Sequence, residues 1–132
     1  QYDSVWEDAM RIQESGENYL ETILILQGKK GSVRSIDVAN ELDYTKASIS
    51  RAMGILKKAG YITIDDSGNI HLTESGNQRA TQIYERHRLI AEYLVRALQI
   101  GAETAAADAC RIEHVISEES FHKIKDWVEE HK

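Results

Sequence analysis

The run Cys110-Arg111-Ile112-Glu113-His114 places a thiol, a carboxylate and an imidazole at positions i, i+3 and i+4, which on a helix share one face. Sulfur, oxygen and nitrogen donors grouped in this way suit a divalent transition metal. A helical Glu-His pair beside a cysteine is also common as incidental packing, so the group gains weight only from donors elsewhere. His87 falls mid-helix on an apolar stripe with Ile83, Ile90 and Leu94, and Asn18 with Glu21 sits at i, i+3 on the polar edge of the first helix. If three helices bring these together, five or six donors converge. His122 and His131 read as surface residues without a role. The chain offers no nucleophile, glycine-rich phosphate loop or acid–base pair, so an enzyme is not expected.

A second constellation lies upstream. Residues 35–60 read as two short helices around a tight turn, and the β-rich segment that follows makes the unit winged. A helix that enters the major groove must present small polar groups near its N-terminus. Thr45, Lys46, Ala47, Ser48, Ser50 and Arg51 supply them, while Ile49 and Met53 point inward. Arg51 suits guanine edges or a phosphate, and Thr45 and Ser48 suit close approach. Charge agrees. The whole chain carries −6, yet residues 31–62 hold Arg34, Lys46, Arg51, Lys57 and Lys58 against Asp37, Glu41 and Asp43. Arg34 joins the DNA-facing set on that ground.

The elements that must position these groups are read from caps and glycines, because the chain has no proline. The first 27 residues predict a helix, in two pieces around Ser15-Gly16, with Tyr19, Leu20, Ile23, Leu24 and Leu26 on its apolar stripe. Gly28-Lys29-Lys30-Gly31 ends it. Ser35 is the expected N-cap of the next helix, Thr45 of the recognition helix, and Gly60 its terminator. Residues 61–64 and 70–73 form the expected hairpin around Asp65-Asp66-Ser67-Gly68-Asn69. Thr73 caps a long helix to about Leu98, a helix around residues 104–117 follows, and a last one spans Glu118 to Glu130.

With 132 residues, 42% apolar and 29% charged, the composition is that of a globular protein. The longest aliphatic stretch, Ile23 to Leu26, is far too short to span a membrane. The lone cysteine, Cys110, fits a reducing compartment. A cytoplasmic protein is expected; no secretory leader is read, and Gln1 suggests a trimmed start.

The runs Glu17-Asn18-Tyr19-Leu20-Glu21-Thr22-Ile23, Arg86-His87-Arg88-Leu89 and Cys110-Arg111-Ile112-Glu113-His114-Val115-Ile116-Ser117 together resemble the diphtheria toxin repressor and manganese transport regulator family. Its members are metal-activated bacterial repressors. The resemblance implies a mainly α fold, with a winged helix-turn-helix domain over residues 1–75 and an all-helical metal-binding and dimerisation domain over 76–132. Larger iron-type members add a C-terminal SH3-type barrel, for which this chain is too short. Iron-type members use a methionine at position 18 with Cys110, Glu113 and His114. Manganese-type members use an aspartate at position 18, Glu21, His87, a glutamate at position 110, Glu113 and His114. This chain is a hybrid, with Asn18, Glu21, His87 and Cys110 all present. The usual partners of an ancillary iron-type site fall at Ala91 and Ala106, with Glu92 one residue off the face.

The implied function is a repressor of metal homeostasis, activated by Fe(II) or Mn(II), with Zn(II), Co(II) or Ni(II) as substitutes in vitro. It would bind a palindromic double-stranded operator as a homodimer. The rival reading is a winged-helix regulator that responds to a small ligand or to redox state, with Cys110 as a core residue or a redox sensor.

Overall fold

A computed structural model describes residues 2–132, with side chains from Ser15 onward. The order is α1 (Tyr2–Lys30), α2 (Ser35–Leu42), α3 (Lys46–Lys58), β1 (Ile62–Ile64), β2 (Ile70–Leu72), α4 (Glu74–Leu98), α5 (Ala102–Ile112) and α6 (Glu118–Glu130). The fold is mainly α, with one two-stranded antiparallel ribbon in which Ile62 pairs with Leu72 and Ile64 with Ile70. The chain divides into two compact units, one up to Thr81 and one from Gln82.

The first unit is built on apolar spacing. Leu20, Ile23 and Leu26 of α1, Val38 and Ala39 of α2, and Ile49, Met53 and Leu56 of α3 are buried in one cluster with Val33, Ile62, Ile70 and Ala80. Spacings of three and four residues put the α1 and α3 sets each on one face. The turn between α2 and α3 uses Asp43 in the left-handed region (φ 57), a conformation that Asp tolerates better than most residues. Thr45 then caps α3, its hydroxyl accepting from Ser48 N at 3.1 Å. Gly60, at φ 88, turns the chain into β1.

Three expectations need correction here. α1 runs unbroken through Ser15-Gly16 and reaches Lys30, so Gly28 sits inside it; the left-handed Gly31 (φ 86) ends it. The N-cap of α2 is Arg34, with extended backbone (φ −118, ψ 165), and Ser35 is already helical. What Ser35 was expected to supply comes from Asp37, whose Oδ2 accepts from Arg34 N at 2.9 Å and whose Oδ1 accepts from Lys30 Nζ at 3.0 Å. Those contacts, the Arg34 backbone bond foremost, hold the Asp37 carboxyl below the usual carboxylate range. The third correction concerns α5, which ends at Ile112 rather than near Ser117.

Hydrogen bonds tie the wing to the rest of its unit, one of them from Gln27 Nε2 of α1 to Ile70 O at 3.3 Å. Ile70 N donates to Val33 O at 2.7 Å, and Arg34 Nη2 donates to Ser67 O at the tip at 2.7 Å. Within the tip, Asp65 Oδ1 accepts from Ser67 N and Asn69 N, both at 2.9 Å, and His71 Nε2 lies 3.0 Å from Asp65 Oδ2. The Asp65 carboxylate is thus consumed in shaping the turn. At the start of α4, Thr73 Oγ1 accepts from Gly76 N at 3.1 Å and donates to Gly60 O at 2.7 Å. A Cβ at Gly76 would stand 2.0 Å from Tyr61 O, so only glycine fits there.

The second unit packs Leu89, Ile90 and Leu94 of α4 with Ala105 and Ala109 of α5 and Phe121 and Val128 of α6. The small residues at positions 105 and 109 let α5 lie close to its neighbours. Ser117 caps α6 by accepting from Ser120 N at 3.1 Å. Tyr93 meets Trp127 edge to face at 5.4 Å between ring centroids. No described helix is long and apolar enough to cross a membrane.

Candidate metal centre and nucleic-acid interface

In the second unit α4 supplies His87, α5 supplies Cys110, and the turn after α5 supplies Glu113 and His114. Glu113 takes the C-cap position with helical dihedrals (φ −57, ψ −27), its N–H reaching Ala109 O. Cys110 and Glu113 therefore keep the one-turn spacing read from the sequence, although the regular helix has ended. His114 lies in the turn itself, where Val115 N and Ile116 N both return to Ile112 O.

One ligand atom each of His87, Cys110 and Glu113 lies within 4.8 Å of the others. The Glu113 side chain is fully buried, and His87 Nδ1 lies within hydrogen-bond distance of its Oε2, at 3.0 Å. His114 Nε2 stands 3.4 Å from its Oε1, with the His114 side chain only 7% exposed. A buried carboxylate is costly unless positive charge or donors face it, and here an imidazole faces each oxygen. Cys110 is exposed, so it is not the core residue that one reading made of it. The nitrogen, sulfur and oxygen set fits a divalent transition metal: imidazole and thiolate suit the later ions of the series, and carboxylate the harder ones.

Arg86, which the sequence offers within a motif but without a role, contacts the turn directly. Its Nη1 donates to the carbonyls of Glu113 and Ile116, each at 3.3 Å; its Nη2 pairs with Glu118 Oε1; and its guanidinium carbon lies 5.2 Å from the Phe121 ring centroid. The adjacent Arg86-His87 dipeptide was the available signal. Also unforeseen is the pair in which Arg79 Nε donates to Glu17 Oε2 at 2.9 Å, joining the start of α4 to α1 within the first unit.

Of the other expected ligands, Asn18 and Glu21 lie on α1 in the first unit. Asn18 is partly exposed, and its carbonyl accepts from Thr22 Oγ1 at 2.8 Å. Glu21 is 5% exposed.

The nucleic-acid set also lies in the first unit. Thr45, Lys46, Ala47, Ser48, Ser50 and Arg51 are all exposed, opposite the buried Ile49 and Met53. Thr45 Oγ1 donates to Ser48 Oγ at 2.9 Å while it caps the helix, so both hydroxyls are pre-set. Arg34, Lys46, Ser35 and Ser50, with Ile36 and Gly68, line an open basin of about 350 Å³. Two cations, two hydroxyls and the N-terminus of α2 give that basin the chemistry of a phosphate contact.

Comparison with known proteins agrees with this arrangement. Residues 11–68 match the family model of the iron-dependent repressor N-terminal DNA-binding domain. Residues 73–132 match that of the iron-dependent repressor metal-binding and dimerisation domain. The chain is 29% identical over 122 residues to an HTH-type transcriptional regulator of Methanocaldococcus jannaschii, covering 92% of this chain and 98% of that one. It is 30% identical over 115 residues to the HTH-type transcriptional regulator MntR of Lysinibacillus sphaericus, covering 87% and 82%. Among solved structures it matches T. acidophilum IdeR with a TM-score of 0.76 and 26% identity, covering 85% of this chain and 53% of that one. The chain thus spans about half the length of that solved relative. With both family models matched in order and MntR similar over most of its length, the chain belongs to the iron-dependent repressor family of metal-dependent transcriptional regulators, as its motifs implied.

Proposed function

We propose that the protein is a repressor of metal-homeostasis genes that binds a palindromic double-stranded operator as a homodimer in the cytoplasm, with Fe(II) or Mn(II) as the activating ion. The observation that carries the metal half of this reading is the buried Glu113 carboxylate, set between His87 and His114 with Cys110 in reach. The exposed polar face of α3 carries the DNA half.

His87, Cys110, Glu113 and His114 hold the ion, and Asn18 and Glu21 supply the remaining donors. The support for the last two is their i, i+3 spacing and the family motif around them. A bound divalent ion supplies the positive charge that offsets these acidic groups and a Cys110 thiolate. Without it, Glu113 and the thiolate repel one another; with Glu21 among its ligands, the ion would restrain α1. α1 packs on α2 and β2, so restraining it steadies the unit that presents α3. Lys46 and Arg34 then meet backbone phosphates, and Arg51 reads a base edge or a phosphate. Two such units must reach half-sites about 34–36 Å apart. Moving such a switch from 1:99 to 99:1 takes about 5.5 kcal/mol of differential affinity, more than the usual coupling of about 1–3 kcal/mol per effector. Both protomers of a dimer therefore contribute.

Isothermal titration of Mn(II), and of Fe(II) under anaerobic conditions, into the chain and into Glu113→Ala tests the reading. Saturable binding that Glu113→Ala abolishes is the expected result. Equal heats from both proteins would count against it.

A further inference from the structure

We propose that Arg86 is a positioning residue for the metal centre: it fixes the turn that carries Glu113 and His114, and so sets how tightly a divalent ion is held. The inference rests on the metal-dependent reading above.

α5 ends at Ile112 without the glycine or asparagine that commonly closes a helix. The carbonyls that follow need donors from elsewhere. Arg86 provides two of them, bonding Glu113 O and Ile116 O through one nitrogen. Its other terminal nitrogen pairs with Glu118 in the first turn of α6, and the guanidinium lies over the Phe121 ring. One side chain, only 18% exposed, therefore grips both ends of the segment from residue 113 to residue 118.

The grip starts on α4, one residue before His87, so the same helical turn sets a ligand and the clamp on the opposing ligands. Glu113 is held twice, at its carbonyl by Arg86 and at its carboxylate by His87. Such a support works only with a planar, multi-donor head; an ammonium cannot reproduce two carbonyl bonds, an ion pair and a ring contact together. Supporting residues of this kind typically change metal affinity by about 10–100-fold when removed.

The test uses the full chain and its Arg86→Met and Arg86→Lys variants, titrated with Co(II) and followed by the thiolate-to-cobalt absorption band. The wild type is expected to show the band. Arg86→Met is expected to bind Co(II) about 10–100-fold more weakly with altered d–d intensities, and Arg86→Lys to fall between. In metal-free protein, amide hydrogens of residues 113–117 should exchange faster in Arg86→Met while those of the α4 core do not. If Arg86→Met fails to fold by circular dichroism, Arg86→Lys carries both measurements. Wild-type affinity, spectrum and exchange in the folded variants would overturn the positioning role and leave the metal reading intact. A wild type that binds neither Co(II) nor Mn(II) would overturn the metal reading instead, and the proposal with it.

Discussion

His87 Nδ1 stands 3.0 Å from Glu113 Oε2, a contact across 26 residues that links α4 to the turn after α5. The contact orients the His87 ring against the carboxylate it faces. His87→Ala would remove both a ligand and the bond facing one Glu113 oxygen. It is expected to weaken Mn(II) binding at least about tenfold, the loss typical of disturbing a ligand's support, as measured by isothermal titration. Glu113→Gln should do more, since it removes the buried charge.

Cys110→Ser is expected to change which ion binds, more than whether one binds. Thiolate favours the later, softer ions, while carboxylate and carbonyl oxygen favour Mn(II). The variant should lose Zn(II) and Co(II) affinity by a larger factor than Mn(II) affinity in parallel competition titrations. An equal loss across the three ions would remove Cys110 from the ligand set.

On the DNA side, Lys46→Ala and Arg51→Ala should separate. Lys46 shares its basin with Arg34, Ser35 and Ser50, the setting of a phosphate contact. Its loss should lower the slope of log affinity against log salt by about 0.9 and weaken all duplexes alike. If Arg51 reads a base edge, Arg51→Ala should cost about 1–3 kcal/mol on the selected sequence and little on random DNA. Fluorescence anisotropy across a salt series reads both.

Gly76→Ala should destabilise the first unit, because the added carbon would meet Tyr61 O at 2.0 Å and neither α4 nor the wing can yield cheaply. A cost of about 1–3 kcal/mol or more is expected, in the range of core overpacking. Thermal melts should show it, whereas Gly28→Ala, with open space around it, should be neutral or stabilising.

The Asp37 carboxyl titrates below the usual range, first because it accepts from Arg34 N and next because of Lys30. Its folded value is lowered, so the stability it adds to α2 is complete above the ordinary Asp value and is lost as pH falls through the lowered one. Carbon-detected NMR should find Lys30→Ala raising the Asp37 midpoint only part of the way back. Full recovery would mean that the ammonium, not the helix N-terminus, is the main cause.

Much of this was legible in the residues themselves. Thr45 caps α3 and Gly60 leaves it because an N-terminal hydroxyl and a left-handed terminus are local devices, readable within four residues. The end of α5 was not legible. Glu113 is still helical in its dihedrals, no breaker follows it, and what closes the turn is Arg86, 27 residues upstream. The cap of α2 was misplaced by one position for a related reason: Ser35 has the better capping side chain, but Asp37 reaches back to the amide of Arg34 and makes the serine hydroxyl unnecessary. Cys110, Glu113 and His87 were visible as donors. That Glu113 is the fully buried one, flanked by two imidazoles, came only with the fold.

Selection from a random double-stranded oligonucleotide pool, run in parallel with Mn(II), with anaerobic Fe(II) and with a chelator, addresses the coupling between ion and DNA most directly. An inverted-repeat sequence enriched with either ion and absent with the chelator is the predicted result. The same sequence recovered at equal affinity with and without metal would contradict it.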